Sequence, residues 1–174
     1  MMAKKRAKKK IADQTSVAAP KAGRPNMPGY GLVKSRTGLL PWKWAQDRLG
    51  KSRQYWIATT RPDGSPHVMI VWGLWLADAF YFSTGKNSRK ARNLAENPHC
   101  VIASENPAEA VIVEGVVESV TDPEKAEPLY VAYHKKYKWD LGGMGEPFYR
   151  LRPRIAFGLF EKKFTGTATR WTFS

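Results

Sequence analysis

Residues 61–98 read RPDGSPHVMIVWGLWLADAFYFSTGKNSRKARNLAENP, and their order decides the fold. Pro62-Asp63-Gly64 has the chemistry of a turn, because proline presets φ and glycine supplies φ > 0. His67–Leu76 is long, apolar and rich in strand formers. Ala77-Asp78 is a two-residue link and Ala79–Thr84 returns as a second strand, which predicts a hairpin. Ser88–Asn97 then reads as a helix, with Ser88 as N-cap and Pro98 as its stop.

The flanking segments continue the pattern. Upstream, Gln54–Thr60 is strand-like, and a short helix opens near Pro41 with Trp42, Ala45 and Leu49 on one face. Downstream, Cys100–Ser104 and Ala110–Val120 are strands joined through Asn106-Pro107. Asp122 and Pro123 open a helix that runs to about Lys138 and carries Pro128 inside it. Asp140–Pro147 is a glycine-rich, mobile loop, and Arg154–Glu161 and Ala168–Phe173 are the last strands. The expected fold is mainly β with short α: a split β-barrel of about six to seven antiparallel strands with short flanking helices.

The charge of +14 is uneven, because residues 1–24 hold eight Lys and Arg against Asp13, half of the net total. Such a segment buries too little apolar surface to offset its ordering entropy. Residues 1–36 are therefore expected to be a basic, disordered extension, and residues 37–174 the barrel domain. Nucleic acid or an anionic surface is a possible partner through residues 1–24 only, and a solubilising tail is the plainer explanation. The chain has no apolar run long enough to span a membrane and no apolar leader, so a cytoplasmic protein is expected. Cys100 is its single cysteine, which excludes an internal disulfide.

His67, His99 and His134 have no metal-ligand spacing, no nucleophile motif is present, and no catalytic residue is assigned. Any chemistry is expected to come from an organic cofactor. The clearest clue to one is a conflict of charge. Arg89, Lys90 and Arg92 crowd the start of a helix, the end that disfavours cations. Bound phosphate would resolve the conflict through free N–H groups, Ser88 and the cations, with Ser83 and Thr84 as further hydroxyls. A solvated basic helix face is the alternative. Trp72 and Trp75 point to opposite faces of their strand, and Tyr130, Tyr133 and Tyr137 form a helical stripe best explained by packing.

The runs RPDGSPHVMIVWGLW, FYFSTGKNSRKARNLAENP and EAVIVEGVVESV (Glu109–Val120) resemble the pyridoxamine 5′-phosphate oxidase-like superfamily. The ending ATRWTF (Ala168–Phe173) is similar to that of its flavin/deazaflavin oxidoreductase branch, and the likeness covers about residues 40–174. The resemblance implies a split-barrel homodimer with a cofactor, FMN or alternatively coenzyme F420, at the subunit interface. It implies that the strand His67, Val68, Met69, Ile70, Val71, Trp72 lies along the ring system, largely through its backbone. It assigns the ribityl phosphate to Phe82, Ser83, Arg89 and Lys90, and it brings an aromatic, Phe160, and Arg170 from the partner subunit. In the vitamin-processing oxidase a lysine matches Trp72, an Arg-x-His pair matches Gly166 and Ala168, and a glutamine matches Ala110. With those handles missing, pyridoxamine phosphate oxidation is not expected. The expectation is an FMN- or F420-dependent oxidoreductase acting on an unidentified small molecule, walled by aromatics such as Trp72 and Trp171. A non-enzymatic cofactor-binding protein with a nucleic-acid-binding tail is the alternative.

Overall fold

The computed structural model describes residues 19–141 and 145–174. Eight strands are present among them: β1 (Lys21–Gly23), β2 (Gln54–Thr60), β3 (Pro66–Leu76), β4 (Ala79–Ser83), β5 (His99–Ser104), β6 (Glu109–Val120), β7 (Phe148–Phe160) and β8 (Thr169–Thr172). The helices are α1 (Trp42–Lys51), α2 (Arg89–Glu96), α3 (Pro123–Tyr137) and α4 (Phe164–Thr167), the last preceded by a 3₁₀ turn at Glu161–Lys163.

All pairings are antiparallel, in the order β1-β8-β7-β4-β3-β2-β5-β6, and β6 pairs again with β7. Six strands therefore close into a barrel, and β8 and β1 extend from it. The split lies in β7. One of its edges pairs with β6 throughout, while the other is shared between β4 at Phe148–Leu151 and β8 at Ile155–Gly158.

Local chemistry explains the turns at the two ends of β3. Ala77 and Asp78 both have positive φ (47° and 54°), the handedness a two-residue hairpin needs. Asp78 accepts hydrogen bonds from Trp42 Nε1 (3.0 Å) and Gln46 Nε2 (2.8 Å), so the same aspartate fastens α1 to the hairpin. At the other end of β3, Gly64 has φ +82°, and Asp63 accepts from the Ser65 amide at 2.9 Å.

The interior is filled from alternating strand positions. Tyr55, Ile57, Val71, Phe80, Phe82, Ile102, Val111, Val113, Leu151 and Trp171 form the main core, closed by Leu40, Ala45 and Leu49 of the α1 region. A second cluster packs Leu129, Tyr133 and Tyr137 of α3 against Leu74, Tyr81 and Phe148. Tyr130 packs against this cluster from its margin, so the tyrosine stripe is packing.

Three segments differ from the sequence reading. Residues 19–36 are held against the barrel rather than disordered. β1 pairs with β8, and the Arg24 guanidinium donates to the carbonyls of Ser35, Thr37, Gly166 and Ala168 at 2.8–3.0 Å. Backbone pairing to an open edge is a long-range gain that local composition does not show. β7 begins at Phe148 instead of Arg154. Pro153 sits where the β6–β7 register shifts at Glu114/Gly115, a bulge that spares it a ladder bond. The segment around Gly166 is helical rather than an open loop. Residues 1–18 and 142–144, and the expectations placed on them, lie outside the described residues.

Candidate cofactor site

The start of α2 is built by its own sequence. Ser88 Oγ accepts from the Ala91 amide at 3.2 Å, which caps the helix, and lies 3.2 Å from Thr84 Oγ1. The Ser88 amide donates back to Gly85 at 2.9 Å. The first turn contains no acidic residue and the last turn no basic one. Arg89 is exposed, while Lys90 is half-buried. Burial holds the Lys90 ammonium below its ordinary pKa, because taking a charge out of water disfavours it. Among the described residues, neither Arg89 nor Lys90 has an ion-pair partner.

At the start of β3, His67 lies in the field of this helix start. Burial lowers the pKa of His67, and the charges of Arg61, Lys90 and Arg89 lower it further, so strand and helix bring four basic groups into one field. His67 Nδ1 lies 3.5 Å from Thr59 Oγ1, which accepts from Asn93 Nδ2 at 3.0 Å. Asn93 is fully buried and its Oδ1 has no hydrogen-bond partner. The sequence reading missed Thr59 and Asn93. Helical spacing puts Asn93 on the face of Lys90 and Leu94, and that was the available signal.

The structure brings Thr84 and Ser88 within 3.2 Å of each other at the start of α2, and the charges of Arg89 and Lys90 reach His67 at the start of β3. Val71 and Phe82 are core side chains, which leaves only their backbone for a ligand. Ser83 Oγ donates to the Pro147 carbonyl at 3.0 Å, so its proton is committed to that loop. Val68, Ile70 and Trp72 stand outward on β3 at 51%, 45% and 40% exposure, beside Trp56 of β2 at 49%. Met69, on the His67 side of the strand, is also exposed. Phe160 and Arg170 are elsewhere in the single chain. Phe160 pairs with Glu109, and Arg170 lies on β8, beyond β7 and β4 from the site strand.

The expected aromatic walls divide. Trp72 is stacked on Tyr137 (4.8 Å between centroids, 3° between planes), with Trp139 edge-on at 6.4 Å. Trp171 is fully buried against Trp42 and Gly158 and is core rather than a substrate wall. Of the glycine-rich loop, the Glu146 carboxylate accepts from the Lys86 amide at 2.9 Å. Two clefts among the described residues lie away from Arg89 and Lys90. One of about 460 Å³ lies between the start of α3 and Arg150 and Arg152, and another of about 540 Å³ lies between Thr59 and Ile155.

Comparison with known proteins places this geometry. No curated protein matches the chain. A solved structure described as an F420 reductase is 27% identical, with a TM-score of 0.54, and the match covers 64% of this chain and 94% of that one. A conserved hypothetical protein from Mycobacterium tuberculosis is 23% identical, with a TM-score of 0.65 and coverage of 75% and 92%. A heme storage protein from Vibrio cholerae shares the fold at 18% identity, with a TM-score of 0.55 and coverage of 65% and 87%. The family model described as pyridoxamine 5′-phosphate oxidase matches residues 42–168, which run from the first turn of α1 to the residue before β8. With a closed six-stranded barrel split along β7 and that family's pattern over most of its length, the chain belongs to the pyridoxamine 5′-phosphate oxidase family.

Proposed function

We propose that this protein is a flavin-type oxidoreductase that binds FMN at the interface of a homodimer and acts on a small molecule other than pyridoxamine phosphate. The observation that carries the reading is Lys90, a half-buried cation with no counter-ion among the described residues, beside Arg89 at a capped helix start. The residues present fit a phosphate. Arg89 and Lys90 supply charge, Ser88 and Thr84 supply hydroxyls, and the α2 start supplies N–H groups. The backbone of His67–Trp72 would flank the ring system, and Phe160 and Arg170 of the partner subunit would close it. When bound, the cofactor supplies hydride transfer, and the protein supplies orientation and electrostatics.

The exposed face of Trp56, Val68 and Ile70 supports the dimer, since an apolar patch of this kind on a strand pair marks an interaction surface. F420 is the second reading, favoured by the likeness to the F420 reductase. Fluorescence titration with FMN and with F420 separates the two. Changing Arg89 and Lys90 to Ala should weaken binding of the true cofactor by about 1.5–3 kcal/mol each. A protein that binds neither cofactor at micromolar concentration, or a double variant with unaltered affinity, removes the proposal. A heme absorbance band in the purified protein would move the reading to a heme-binding protein.

A further inference from the structure

His67 is unlike the other basic groups of the cluster, because its charge is conditional. The charged groups acting on it are Arg61 from the β2–β3 turn and Lys90 and Arg89 from α2, and no carboxylate is among them. Three cations and partial burial favour the neutral ring, and its pKa is lowered accordingly. An arriving phosphate would reverse the sign of that field. The contacts of the ring are already arranged for either state. Thr59 Oγ1 lies 3.5 Å from His67 Nδ1 and 3.4 Å from the His67 carbonyl oxygen. Its hydroxyl can donate to a neutral Nδ1. Turned toward the carbonyl, it can instead accept from Nδ1–H, and no heavy atom needs to move. Asn93 Nδ2 donates to the same oxygen at 3.0 Å and keeps Thr59 in place.

We propose that His67 is the proton-accepting member of the phosphate cluster: neutral in the cofactor-free protein, it takes up a proton from solvent as the phosphate enters, which makes cofactor binding proton-linked. This rests on the phosphate reading above. Because the three fixed cations leave charge to be added, His67 would favour a phosphate monoester with two negative charges over a diester with one.

Calorimetric titration of the full chain with FMN and with F420, in two buffers of different ionisation heat at neutral pH, measures the protons taken up. The wild type should take up more protons with FMN than His67→Gln does, a difference that cancels any proton the phosphate itself releases. Nitrogen-15 spectra of histidine-labelled wild type should show the His67 midpoint moving up by about one unit or more when cofactor is added. Those spectra decide the matter if the variant does not fold. Cofactor binding with equal uptake in both proteins, or with an unmoved midpoint, overturns the role of His67 and leaves the cofactor reading standing. A folded wild type that binds neither cofactor overturns both.

Discussion

On the phosphate reading, Lys90 is a side chain that trades stability for binding. A partly desolvated ammonium without an anionic neighbour is unfavourable in the folded chain, and an apolar side chain of similar length would relieve it. Lys90→Met should therefore raise the melting temperature of the cofactor-free protein while weakening cofactor binding about tenfold or more. Thermal denaturation with and without cofactor checks both halves. Lys136 makes a related case through pH. Its ammonium donates to Tyr55 Oη (3.1 Å) and the Gly73 carbonyl (2.9 Å), and burial brings its pKa down to about 8 from 10.5. Between those values the unfolded chain binds more protons than the folded one, so stability rises with pH through this window. Tyr133 and Tyr137, raised to about 12 by burial, act in the opposite sense above their ordinary 10, where the unfolded chain loses its phenolic protons first. Urea unfolding should show stability climbing above pH 8 and falling beyond pH 10, and Lys136→Met should flatten the climb.

Among the elements, the β6–β7 pair decides whether the barrel closes. A Cβ on Gly115 would lie 2.2 Å from the Arg152 carbonyl oxygen, and backbone cannot give way as a side chain can. Gly115→Ala should cost about 1–3 kcal/mol or more, read from equilibrium unfolding, because it overpacks the bulge. The same bulge shows why part of the fold was illegible in the sequence. Runs rich in strand formers such as Gln54–Thr60 and Ala110–Val120 are plain in the sequence, and so is the two-residue link at Ala77-Asp78. Phe148–Pro153 is not, since a proline marks a strand interior as forbidden unless a bulge elsewhere excuses it. The three residues of β1 carry no pattern at all and exist through β8. In the site, Arg89 and Lys90 were legible because they oppose the helix dipole. Thr59 and Asn93, 34 positions apart, meet only after α2 packs on β2. Trp171 looked like a wall for substrate because its burial depends on Trp42 of a distant helix.

At the scale of the whole molecule, the site strand and Arg170 lie on separate parts of one chain. If the partner's Arg170 completes each site, two defective chains can repair one another. Arg170→Ala and the Arg89/Lys90 double variant should each bind cofactor weakly, and mixed dimers of the two should recover part of the binding. Mixtures no better than the average of their parents would mean that each chain holds its cofactor alone. Beyond the closed barrel, β8 is covered by β1, a strand of three residues bracketed by Pro20 and Pro25. A strand that short, with a proline on either side, has too few backbone donors and acceptors to template the sheet of another molecule. Such an edge is of the kind that discourages pairing between sheets of separate molecules.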